Sequence, residues 1–134
     1  MAEEQQEAAG SAFELEYVTS GVPLVPNEGI SVYVVNDSSV DEHTRVVIYR
    51  TGGAGAITVI DTGRVLVTPT WTWSLRFPIK DPGVHWLRIQ TTAESLIPKA
   101  LFERGNDVKT WQPLVCYKPG DFAVFSLTRK RIWR

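Results

Sequence analysis

The sequence predicts an all-β protein, an immunoglobulin-like antiparallel β-sandwich of about eight strands. Three observations carry that prediction. Apolar and polar residues alternate in short runs, as in Phe13, Leu15 and Tyr17 around Glu14 and Glu16, or Trp71, Trp73, Leu75 and Phe77 around Thr72, Ser74 and Arg76. A period of two is the mark of a strand with one buried face. Clusters of Gly, Pro, Asn and Asp separate these runs, and no segment of ten or more residues shows a sustained helical period.

The strands follow in order. Order begins near Phe13, and the segment Gly21 to Gly29, with Pro23, Pro26 and Asn27, reads as loop. Ile30 to Val35 is a β-branched strand closed by the turn cluster Asn36-Asp37-Ser38-Ser39. Thr44 to Arg50 is its return, so the two are expected to form a hairpin or its Greek-key equivalent. Thr51 to Gly55 is glycine-rich, but neither dinucleotide nor P-loop spacing is present and no helical pattern follows, so it reads as a hairpin loop. Ala56 to Ile60 is the next strand.

Val65 to Phe77 holds the heaviest apolar row in the chain and is the stretch around which the others are expected to pack. Burying each of its large side chains is worth roughly 1.5–3 kcal/mol before entropy is charged. Pro69 removes a ladder donor, so the run is expected to break at Pro69-Thr70 into Val65–Val67 and a core strand containing Trp71 and Trp73. Val84 to Thr92 places His85, Leu87 and Ile89 on one face and Trp86, Arg88 and Gln90 on the other. Pro98 makes Ser95 to Phe102 an expected edge strand. Trp111 to Tyr117 and Phe122 to Leu127 flank the turn Lys118 to Asp121 and complete the set.

A chain of 134 residues suits one domain. Residues 1–11 read as a flexible N-terminal arm, 12–128 as the sandwich and 129–134 as a basic tail. Apolar residues make up 43% and no apolar run is long enough to span a bilayer. Net charge is −1, which argues against a general affinity for nucleic acid. The start carries no basic and greasy leader, and the single Cys116 forms no internal disulfide; a cytoplasmic protein is expected.

Catalytic patterns are missing. His43, His85 and Cys116 stand apart with no metal-ligand spacing, so no metal or other cofactor is expected. Cys116 reads as a small buried hydrophobe and His43 as an exposed turn residue. No nucleophile elbow occurs, and the adjacent Asp41 and Glu42 read as a solvated turn. Candidate contacts are instead aromatic and charged. With Leu87 and Ile89 turned inward, Trp86 lies outside beside Arg88 and Gln90, and Trp111 joins it as a second candidate for partner or ligand binding. The tail residues Arg129, Lys130, Arg131, Trp133 and Arg134 combine cations with an indole, suited to an acidic partner surface.

Val32-Tyr33-Val34-Val35-Asn36, Val46-Val47-Ile48-Tyr49, Pro69 with Leu75-Arg76-Phe77, Asp81-Pro82, Ile89-Gln90, Ile97-Pro98 and Arg104 together resemble the sensory rhodopsin transducer family over residues 30–104. The resemblance implies a soluble β-sandwich without enzymatic activity that forms a homo-oligomer and relays a signal by binding another protein, with ligand or DNA binding also proposed for such folds. Where that family carries basic residues after the proline, this chain has Thr70, Trp71, Thr72 and Trp73, and it continues past residue 104 with two further strands. The sequence thus points to a binding or assembly module that pairs with itself and with another protein; a carbohydrate- or small-ligand-binding sandwich using Trp86 is the alternative.

Overall fold

The computed structural model describes residues 12–127, so the arm at 1–11 and the basic tail at 129–134 lie outside the described residues. Among the described residues eleven strands occur in the order β1 (Leu15–Val18), β2 (Val22–Leu24), β3 (Gly29–Asn36), β4 (Glu42–Gly52), β5 (Gly55–Asp61), β6 (Val65–Val67), β7 (Thr72–Pro78), β8 (Gly83–Thr91), β9 (Leu96–Arg104), β10 (Gln112–Tyr117) and β11 (Ala123–Ser126). They form two antiparallel sheets. One runs β11-β1-β8-β4-β5, with β2 also paired to β8 and β6 to β4; the other runs β10-β9-β3-β7. The fold is an all-β sandwich.

The core is the row of inward side chains from the middle strands. Ile30, Val32 and Val34 of β3, with Phe102 of the neighbouring β9, face Val46 and Ile48 of β4 and Leu87 and Ile89 of β8, all fully buried. These are the β-branched and leucine positions of each alternating run, so parity sets which face is dry. β8 has the expected parity, with His85, Leu87 and Ile89 inside and Trp86, Arg88 and Gln90 on the outer face.

The Trp-rich run is not the centre. Among the described residues β7 is an edge strand, paired only with β3, and its inward row Trp73, Leu75 and Phe77 is half-buried. Trp71 precedes the strand and is 66% exposed. The break at Pro69-Thr70 falls where expected and sends β6 and β7 into different sheets. Turning there takes Trp71 out of the pleat whose parity it was expected to share.

Other expectations change for local reasons. β3 and β4 lie in opposite sheets and do not pair, because the 37–41 connection crosses the sandwich instead of folding back. The glycine loop does close a hairpin, β4 to β5, with Gly52 opposite Gly55. Val22 and Leu24 are buried on either side of Pro23, making β2 a strand inside the expected loop. β9 is interior where β10 covers it, from Ala100 to Arg104, but Pro98 lies beyond the last β10 pair at Tyr117. The missing amide is therefore tolerated on a locally open side. Cys116 is exposed, since its register partner Leu101 belongs to the outer parity, and His43 is a half-buried strand residue opposite Leu66.

The two sheets are tied together by Asn36, the last residue of β3. It is fully buried. Its side-chain amide donates to the carbonyls of Val40 and Val67, both at 2.8 Å, and its carbonyl oxygen accepts from the Ser38 amide at 3.0 Å and hydroxyl at 2.7 Å. Its backbone amide donates to Trp71 O and its carbonyl accepts from the Thr70 amide, each at 2.9 Å. Every side-chain hydrogen-bonding direction is used, and truncation would take the side-chain donor from the buried Val67 carbonyl. Asn36→Ala is expected to destabilise the fold by about 2–4 kcal/mol in urea unfolding, far more than the substitution of an exposed turn asparagine.

Candidate functional site

Trp86, Arg88 and Gln90 form one continuous ladder on the outer face of the seven-stranded sheet. Trp86 lies opposite Tyr49, and the rings stack with centroids 5.6 Å apart and planes 21° from parallel. The Arg88 guanidinium sits 5.4 Å from the Tyr49 ring centroid, a cation–π distance. Glu16 of β1 lies 4.0 Å from Arg88 and accepts from the Gln90 amide at 3.0 Å. One face of the Trp86 ring is therefore taken by Tyr49, and the polar groups beside it hold each other.

Trp111 is not brought near them. It is 8% exposed and lies on the outer face of the other sheet, over Gly29, where any Cβ would collide with the indole. Its Nε1–H donates to Asn27 O at 2.7 Å and Arg76 covers the ring at 5.1 Å. The pinned indole offers no open stacking face and instead buttresses β7 through Arg76. The tail candidates Arg129, Lys130, Arg131, Trp133 and Arg134 fall outside the described residues. Among the described residues no three His, Cys, Asp or Glu side chains gather as a metal site.

The concave part of the surface is the open flank between the edge strands, β7 of one sheet and β5 with β6 of the other. It holds two recesses. One, of about 380 Å³, is lined by Leu66, Val67, Thr68, Trp71, Trp73 and Ser74. Leu66 is 50% exposed there beside the still more open Trp71. Thr70 takes a positive φ of 65°, the Trp71 amide donates to Thr68 O at 3.1 Å, and Asn36 grips the backbone on both sides. A tryptophan is thus held in solvent by a fixed turn, with only hydroxyls and indole N–H groups as polar company. Its lining is apolar apart from hydroxyl and indole groups, and no His, Cys, Asp, Glu, Lys or Arg is among the residues that line it. The second recess, at the Phe77 end, carries Arg50, Lys80 and His85.

The sequence concealed Trp71 because the alternation from Trp71 to Phe77 extends one residue past the true strand. The available signal was Pro69-Thr70, which makes the next residue a turn position.

No protein-family model and no curated protein matches the chain. Solved structures do. It shares its fold with a protein of Thermotoga maritima. That crystal structure, titled Thermotoga maritima 1070, aligns with a TM-score of 0.50 and 10% identity over 87% of this chain and 92% of the other. The Anabaena sensory rhodopsin transducer aligns with a TM-score of 0.48 and 17% identity, over 68% of this chain and 90% of its own. The transducer belongs by name to the family that residues 30–104 resemble in sequence.

At the border of the Trp86 ladder, Arg45 grips Asp61 with two hydrogen bonds, Nε to Oδ1 at 2.9 Å and NH2 to Oδ2 at 2.6 Å. This pair, helped by the Gly63 amide, lowers the Asp61 pKa from 3.8 to about 2. A depressed carboxylate stabilises the fold above its unfolded pKa and loses that contribution as pH falls through the folded value. Both side chains are more than a third exposed, so screening limits the effect to about 1 kcal/mol or less. Urea midpoints of the wild type and Asp61→Asn should differ most above about pH 4 and converge towards pH 2.

Proposed function

We propose that this domain is a non-enzymatic binding and assembly module, immunoglobulin-like in build and cytoplasmic, whose contact surface is the β7 flank and whose first partner is a second copy of itself. The observation that carries the reading is the fixed, two-thirds-exposed Trp71 at the end of an uncovered edge strand. Tryptophan is enriched among residues that dominate interface energies, and an open edge offers a row of unpaired backbone groups. The exposed Cys116 thiol suits a reducing compartment.

A second copy is favoured because β7 is self-complementary about Leu75. Antiparallel pairing of two β7 strands on a two-fold axis sets Leu75 against Leu75, Trp73 against Phe77 and Ser74 against Arg76, with no like charges opposed. The half-buried apolar row would be covered, and each Trp71 would come to the end of its partner's strand. The four-stranded sheet would become an eight-stranded one without disturbing either core.

The pairing predicts opposite responses to two substitutions at one exposed position. Ser74→Lys sets a cation opposite Arg76 twice per dimer and should weaken association at least tenfold, whereas Ser74→Glu should strengthen it. Light scattering or sedimentation velocity over a concentration series reads both. A wild-type monomer at all concentrations, or equal responses to Lys and Glu, would overturn the reading.

A further inference from the structure

We propose that the recess at the Phe77 end of the flank is a binding site for a small hydroxycarboxylate, held by Arg50 and Lys80 at the carboxylate and by His85 at the hydroxyl. This assignment does not rest on the assembly reading. It comes from a buried histidine at the border of the recess and from two cations, of which Arg50 has only a solvent-exposed carboxylate at 3.9 Å.

His85 occupies an inward position of β8 that continues the row of Leu87 and Ile89. It is 1% exposed and borders a recess of about 300 Å³. Its Nδ1 lies 2.9 Å from the Gly83 carbonyl, which can only accept, so Nδ1 carries the proton. Burial, and secondarily the charge of Arg50, push the ring's pKa below its ordinary value against the pull of the Gly83 bond. The neutral ring is left with Nε2 as an acceptor, whose natural partner is a hydroxyl donor.

Arg50 and Lys80 supply positive charge at the same recess. Arg50 spends one nitrogen on the carbonyl of Thr51, at 3.2 Å. Its carboxylate neighbour, Asp81, lies 3.9 Å from NH2 and is 72% exposed, too long and too wet to neutralise it. Two cations against one solvated acid leave the recess net positive. An arginine fork and an ammonium group together suit a carboxylate.

Ile57, Val59 and Phe77 form the apolar wall. Room is limited. At about 300 Å³ the recess lies at the small end of the range for ligand sites, which suits a small organic acid. An anion without a hydroxyl would satisfy the cations and leave Nε2 unmatched; a neutral polyol would do the reverse.

The test is calorimetric titration of the purified protein with L-malate, succinate and inorganic phosphate. Malate and succinate differ by one hydroxyl. Malate should bind, with succinate and phosphate at least tenfold weaker. Lys80→Gln, at an exposed position that leaves the fold intact, and Arg50→Gln should each weaken malate binding at least tenfold. His85→Gln should narrow the preference for malate over succinate, with thermal melting confirming that the variant folds. No heat with malate, equal binding of malate and succinate, or malate binding indifferent to Lys80→Gln would overturn the assignment.

Discussion

The arrangement of this sandwich depends on one buried amide. Asn36 ends the most buried strand of the smaller sheet, and its side chain reaches the carbonyl of Val67 in the larger one. The same residue holds the crossing turn through Ser38 and Val40 and the second turn through the backbone of Thr70 and Trp71. An amide can do this because it donates twice and accepts twice, and no apolar side chain could satisfy the carbonyls gathered there. Such buried networks are stabilising only when complete, which couples the sheet-to-sheet link to the position of Trp71. The exposed indole is thus a consequence of core geometry.

That coupling explains why the heaviest apolar row sits at an edge. Trp73, Leu75 and Phe77 cover the core from one side only, since among the described residues β7 has no neighbour beyond it. A sheet edge with half-buried aromatics is a liability unless something covers it. The opposing edge, β5 and β6, leaves a flank apolar at the Trp71 end and basic at the Arg50 end.

Parity was legible from the sequence almost throughout. The inward rows of β3, β4 and β8 and the outward position of Trp86 follow from alternation alone, and the Asp81-Pro82-Gly83 and glycine-rich turns fall where composition puts them. What alternation does not encode is which strand neighbours which. The hairpin expected between β3 and β4 became a crossing between sheets, and Pro98 was accommodated within an interior strand by the early end of β10. Trp111 illustrates the same limit, because Gly29, distant in sequence, is what admits its ring. The site was less legible than the fold. Trp71 was read as core because its period matched, and the Arg50–His85 recess joins residues from strands whose adjacency only the fold reveals.

Among the described residues the β7 edge is open in the single chain, and a second copy is proposed to cover it. Amide hydrogen exchange along Thr72 to Phe77, followed as protein concentration is raised through the association range, measures this directly. Protection of the outward-facing amides of β7 that grows with concentration, with the β10 edge unchanged, is the predicted result. Exchange along β7 that is independent of concentration while association proceeds would contradict it.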